Sequence, residues 1–142
     1  MSQYQMPACL NDLVDNEANF KRWLDRKARA HVNRDRKRQN NCDKKPSIRD
    51  YKQRIIEAIK ESQGRDFYTG EKLAWDKIST WDNDAAKDKR AEYRREFWDL
   101  PSVDHDGDKF RICSWRMNDS KSDQTIDEFL KLADRVRKHR AL

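Results

Sequence analysis

Cysteine is scarce in this chain and does not occur in pairs. Cys9, Cys42 and Cys113 lie far apart, with an odd total and no CxxC spacing, so neither a disulfide framework nor a zinc knuckle is indicated and a reducing cytoplasm fits best. The spacing gives none of them the neighbouring base that a thiol nucleophile needs. Long apolar runs are also missing. No stretch approaches the roughly 18 to 20 residues of a membrane span, and the N-terminus has neither a basic start nor an apolar signal core. The expectation is a soluble, cytoplasmic protein without a membrane partner. Internal repeats and low-complexity tracts are absent as well.

The 142 residues suffice for one domain with an appended helical arm and are too few for two full-sized cores. Charged residues make up 41% and hydrophobic ones 35%, yet five Trp, five Phe and four Tyr supply large side chains to bury, which a disordered chain lacks. The net charge of +6 favours a polyanionic partner, because Lys and Arg gain affinity by releasing counterions condensed on phosphates. The charge is uneven: Met1 to Phe20 carries only acids (Asp12, Asp15, Glu17), whereas Lys21 to Arg38 carries nine Lys or Arg against two Asp. Such a run is either a solvated helix face or a nucleic-acid contact.

From Asn19, the stretch NFKRWLDRKARAHVNRDRKR places Phe20, Trp23, Leu24 and Lys27 on one side at helical spacing, giving an amphipathic basic helix. Asn40, Asn41, Asp43 and Pro46 break it. Ser47 can cap a second helix, SIRDYKQRIIEAIKES, with Ile48, Tyr51, Ile55, Ala58 and Ile59 as its apolar stripe and Gly64 closing it. In RDFYTGEKLAW, Thr69 and Gly70 mark a tight turn between short extended pieces. Asp82 to Trp98 is helical in composition and ends at Leu100 and Pro101. SVDHDGDKFRICSW then reads as two strands about an Asp-Gly turn, with Phe110, Ile112 and Ser114 alternating against Arg111 and Cys113. Asp123 or Thr125 can cap a last helix in which Ile126, Phe129, Leu130, Ala133 and Val136 form a stripe expected to be core. The tryptophans fit core packing better than stacking on nucleobases.

Asp104 and His105 are adjacent, so on a strand they point to opposite faces unless a kink brings both to one cavity. Asn118, Lys121 and Ser122 share one helical face by their i, i+3, i+4 spacing. If the hairpin folds back on that helix, Asp104 and Asn118 offer oxygen ligands to a hard divalent cation and His105 stands beside it. Such an arrangement suits phosphodiester hydrolysis, with the imidazole taking a proton from water and Lys121 adding positive charge near the phosphate. The plainer reading makes Asn118 a helix cap and Lys121 a solvated side chain. His31 is expected to touch phosphate or solvent, and His139 to complement a helix C-terminus.

VDHDG on the first strand, FRICSWRMN leading into a helix, and the N-x-x-K-S-D of NDSKSD together resemble the HNH endonucleases, the His-Me finger or ββα-metal class. YTGEKL, Tyr68 to Leu73, is similar to a turn that often precedes the hairpin in that family, and the N-terminal basic stretch resembles the arm of one bacterial and phage group. The stronger likeness spans Asp66 to Arg137, about half of the chain.

The resemblance implies an α+β fold: a ββα-metal core with a short antiparallel hairpin, surrounded by helices, with a basic helical arm over residues 1–64 and the nuclease core over 65–142, packed as a single compact unit. It implies a metal-dependent DNA endonuclease with Asp104 and Asn118 on Mg²⁺ or Mn²⁺, His105 as general base, and Lys121 or Arg116 on phosphate. Arg22, Arg26, Lys27, Arg29, Arg34, Arg36, Lys37 and Arg38 would track the DNA backbone. One such site cuts one strand, so a double-strand break calls for two copies, as a homodimer, or for two successive events. The chain departs from the family in two ways. It lacks the zinc-binding Cys pairs of many members, leaving Trp75, Trp81, Trp98 and Trp115 to hold the site. It also has no clear counterpart of the middle Asn that steadies the histidine, a place Asp106 or Asp108 would have to fill. The alternative is a nucleic-acid-binding module that keeps the scaffold without catalysis; an RNA-directed nuclease is the third reading.

Overall fold

The computed structural model describes residues 4–38, 47–80, 87 and 90–140. A 3₁₀ turn, Ala8–Leu10, leads into α1 (Glu17–Arg38) and α2 (Ile48–Ser62); a second, Trp75–Lys77, precedes α3 (Arg90–Glu96). Then follow β1 (Pro101–Asp106), β2 (Lys109–Ser114), α4 (Trp115–Lys121) and α5 (Ile126–Arg140). The architecture is α+β, with a two-stranded antiparallel ribbon running directly into a short helix.

Local chemistry accounts for the helices. The Asn16 side chain accepts from the Ala18 amide at 2.8 Å, and α1 opens on Glu17 and closes on Arg36, Lys37 and Arg38, complementing the helix dipole at both ends. Its buried stripe is Phe20, Trp23, Leu24, Ala28, His31, Val32 and Asp35, spaced to face one side of a helix. Ser47 caps α2 by accepting from the Asp50 amide at 3.0 Å, and Tyr51, Ile55, Ile56, Ala58 and Ile59 are buried. The chain leaves α2 through left-handed Gln63 (φ 55°) and Gly64 (φ 77°).

The ribbon pairs Ser102 with Cys113, Val103 with Ile112 and Asp104 with Arg111 about a turn at Gly107 and Asp108. Two strands alone leave two open edges, and such ribbons are marginal in water. Both edges are closed here. On the β1 side, Trp23 Nε1 donates to the Pro101 carbonyl at 3.2 Å and His31 Nε2 to the Val103 carbonyl at 3.0 Å. On the β2 side, the Phe67 amide donates to the Ile112 carbonyl at 2.7 Å, and the Ser114 amide donates to Asp66 at 2.9 Å. Pro101, which has no N–H, occupies an edge strand where proline is tolerated.

One hydrophobic cluster joins α1, α2, Trp75 and the ribbon through Trp23, Leu24, Ile55, Ile59, Val103, Phe110 and Ile112. Trp23 and Trp75 meet edge to face with centroids 5.0 Å apart. The cluster runs across residues 64 and 65, where the sequence places the boundary between arm and nuclease core. Among the described residues no helix is long and apolar enough to cross a membrane.

Several expectations are corrected. The RDFYTGEKLAW segment contains no strand; it is a loop followed by the Trp75–Lys77 turn, because its edge-closing bonds are made singly and not as a ladder. Cys113 is as buried as its neighbours, since helices cover one ribbon face and α4 with the Tyr68 loop the other. The α5 stripe is not core: Thr125 caps the helix by accepting from the Glu128 amide at 3.1 Å, yet Leu130 is 52% and Val136 57% exposed. Periodicity marks a helix but does not specify what covers it. The expected helix over 82–98 is described as α3 only, and Cys42, Trp81 and most of 81–89 lie outside the described residues.

Gly64 tests the packing. Its φ of +77° disfavours any side chain, and an added Cβ would lie 2.9 Å from Leu10 Cδ2. Gly64→Ala is therefore expected to cost about 1–3 kcal/mol, read as a lower urea midpoint; an unchanged midpoint would refute the close packing.

Candidate functional site

The site lies at the edge of β1, beyond the two carbonyls that α1 closes. Asp104 and His105 do point to opposite ribbon faces, but at an open edge the two faces meet. A cavity of about 370 Å³ there is lined by Val103, Asp104, His105, Asn118, Asp119, Ser122 and Asp123, with Arg34 and Arg38 from α1. The expected trio of Asp104, His105 and Asn118 is thus brought together, and two of the expected basic residues join it.

Asp104 is buried, with 4% of its surface exposed. Lys121 Nζ lies 3.0 Å from Asp104 Oδ2, and the Tyr68 hydroxyl donates to the same oxygen at 2.5 Å. Both partners take Oδ2. Lys121 itself is 2% exposed, so its amine is committed to Asp104 inside the protein. Burial, and then the Asp104 carboxylate, push the Tyr68 phenol pKa well up, so it remains a donor. The loop that carries Tyr68 is organised by Asp66, whose Oδ1 accepts from the amides of Tyr68 at 2.8 Å and Thr69 at 3.0 Å.

Asn118 is not a helix cap. Ser114 caps α4 by accepting from the Met117 amide at 2.9 Å, while Asn118 Nδ2 donates to Ser102 Oγ at 3.1 Å. That bond turns the amide nitrogen toward the ribbon and leaves the amide oxygen available. His105 is half-buried against Phe110, with ring centroids 5.2 Å apart. Its Nδ1 lies 4.0 Å from Asp35 Oδ1, and Asp35 Oδ2 accepts from the Tyr51 hydroxyl at 2.5 Å. Asp106 instead faces Arg111, with Oδ2 3.5 Å from its Nε.

Other expected residues are dispersed. Arg22, Arg26, Arg29, Arg36 and Lys37 are exposed along α1, and Arg29 pairs with Asp25 at 2.7 Å. Lys27 is half-buried and, with Arg26, lines a separate cavity of about 480 Å³ beside Trp23 and Trp115; burial, then Arg26, pull its amine below the usual lysine value. Arg116 is exposed and lies 3.7 Å from Asp99. His31 is corrected: it is buried, 4% exposed, with its ring turned to the ribbon and away from solvent. Because a carbonyl only accepts, His31 Nε2 carries the hydrogen, and the buried Nδ1 has no hydrogen-bond partner among the described residues. His139 stands exposed in the last turn of α5.

The sequence reading missed Asp35, Tyr51, Asp66 and Tyr68. A signal for the first existed, since the α1 stripe of Phe20, Trp23, Leu24 and Ala28 continues at helical steps through His31 to Asp35. In comparisons with known proteins, the chain matches no protein family, no curated protein and no solved structure.

Two predictions follow from these buried groups. Lys121→Met leaves Asp104 buried without its cation and is expected to destabilise by about 3–5 kcal/mol, measured by chemical unfolding; a loss below 1 kcal/mol would contradict the buried pair. Burial, with Arg34 adding to it, lowers the His31 pKa to about 4. The unfolded chain therefore binds the proton more readily, and stability falls as pH drops from about 6.5 toward 4, by about 3 kcal/mol in all from this group. His31→Gln should flatten that part of the profile, and an unchanged profile would remove His31 as its source.

Proposed function

We propose that the protein is a metal-dependent DNA endonuclease of the HNH, ββα-metal kind, hydrolysing phosphodiester bonds at the β1 edge. The observation that carries this reading is the convergence of Asp104, His105 and Asn118 on one cavity whose rim holds Arg34 and Arg38. A carboxylate, an imidazole, an amide oxygen and two guanidinium groups are the parts that phosphodiester hydrolysis needs.

The donor set fits a hard cation. One carboxylate and one amide oxygen suit an ion that keeps several waters and takes one or two oxygen ligands, as Mg²⁺ or Mn²⁺ does; among the described residues no three His, Cys, Asp or Glu side chains stand together as a ready-made cage. Asp104 and Asn118 would hold it, and when bound it supplies charge against the phosphate and the departing 3′ oxygen. Lys121 and Tyr68 fix the Asp104 carboxylate in place. His105 accepts the proton of the attacking water. Arg34 and Arg38 hold the phosphate, and Arg22, Arg26, Lys27, Arg29, Arg36, Lys37 and Arg116 offer further backbone contacts. Cutting both strands then requires two copies of the chain or two successive nicks.

One observation favours the second reading, a nucleic-acid-binding module without catalysis: Lys121 already neutralises Asp104, which weakens the attraction for a cation.

With Mg²⁺ or Mn²⁺ the purified protein is expected to nick supercoiled plasmid, and His105→Ala to slow this by about 10²–10⁴-fold without unfolding. Retained activity in that variant would end the assignment, and DNA binding without metal-stimulated nicking would favour the module. Arg34→Ala and Arg38→Ala should each weaken DNA binding and reduce the slope of log affinity against log salt by about 1; an unchanged slope would remove them from the phosphate site.

A further inference from the structure

We infer that Asp35, held by Tyr51, is the positioning residue for His105, and that it sets which ring nitrogen faces the substrate. This inference rests on the nuclease reading for its purpose, although its structural part stands apart from it.

Asp35 is buried, 4% exposed, although it stands in a run of otherwise exposed basic residues near the end of α1. A buried carboxylate is retained only where partners compensate its lost hydration. Two partners face it. The Tyr51 hydroxyl, from α2, donates to Oδ2 at 2.5 Å, and the His105 Nδ1 lies 4.0 Å from Oδ1. Desolvation, and then the hydrogen bond to Asp35, push the Tyr51 phenol up to about 12, so it remains a donor and Oδ1 is left for the imidazole. Phe110 packs against both the Tyr51 and His105 rings, at 5.0 and 5.2 Å between centroids, so one ring braces both partners of Asp35.

An ionised carboxylate only accepts. The nitrogen that faces Asp35 therefore carries the hydrogen, which leaves the lone pair on Nε2, the nitrogen a base must present to water. The 4.0 Å separation is longer than a hydrogen bond, as is common before substrate draws a catalytic imidazole into place. The pairing joins the arm to the site: α1 supplies the orienting group, α2 anchors it, and the ribbon carries the base. Neither Asp106, paired with Arg111, nor Asp108, in the turn, occupies that position.

The test uses the metal-free full chain. Long-range proton–nitrogen NMR of the deprotonated His105 ring is expected to show mainly the Nδ1–H form in wild type. Asp35→Ala should shift it toward the Nε2–H form that an unconstrained imidazole prefers, and Tyr51→Phe, which frees the carboxylate without removing it, should produce a smaller shift. In the plasmid assay Asp35→Ala should lower kcat by about 10²–10⁴-fold and leave KM for DNA unchanged, whereas a general loss of structure would alter both. Unchanged ring populations in folded Asp35→Ala, or in Tyr51→Phe if the first variant does not fold, overturn the inference. A tautomer shift in a protein that cuts no nucleic acid supports the positioning role and overturns the nuclease reading alone.

Discussion

A ribbon of two strands has two edges, and the structure depends on how both are closed. Among the described residues neither edge is paired with a third strand. Trp23 and His31, eight residues apart on α1, reach the outward carbonyls of Pro101 and Val103, while Asp66 and Phe67 serve Ile112 and Ser114 on the far side. Each bond satisfies a polar group whose burial unpaired would cost about 1–3 kcal/mol. The same contacts bring α1 and the Tyr68 loop against the ribbon.

The site follows from where that closure stops. Beyond Val103 the strand edge opens into the cavity that Asp104 and His105 share with Arg34 and Arg38 of α1. The groups around it are held from behind: Asp104 by Lys121 and Tyr68, Asn118 by Ser102, and Tyr68 by the loop that Asp66 ties down. α1 therefore has two sides. Its outer face is a row of cations, and its inner face changes from Phe20 and Trp23, packed in the core, to His31 and Asp35, polar groups set beside the site.

Much of this was legible in the chain. Ser47 as a cap, the α1 and α2 stripes and the hairpin about Gly107 all follow from rules that operate within a few residues, where capping and periodicity are decided locally. The grouping of Asp104, His105 and Asn118 was legible too, since only the second strand of the hairpin separates the strand and the helix that carry them. Less visible were contacts across long separations. Asp35 meets His105, and Tyr68 meets Asp104, through folding that no spacing rule records. Lys121 is another such case: a lysine on a short charged helix suggests solvent, and its burial depends on Asp104 arriving from β1, the first strand of the hairpin. The α5 stripe errs in the opposite direction, since its periodicity is sound and nothing among the described residues covers it.

The amino-acid order by itself determined the helices, the hairpin, the basic face of α1 and the grouping of Asp104, His105 and Asn118. These depend on backbone preference and side-chain period, which neighbouring residues settle among themselves. Only the tertiary structure decided that the basic helix is also a wall of the core, that Lys121 neutralises a buried carboxylate, and that Asp35 faces the imidazole. Those outcomes depend on which desolvated charge finds a partner, and that is fixed only when distant segments exclude water together.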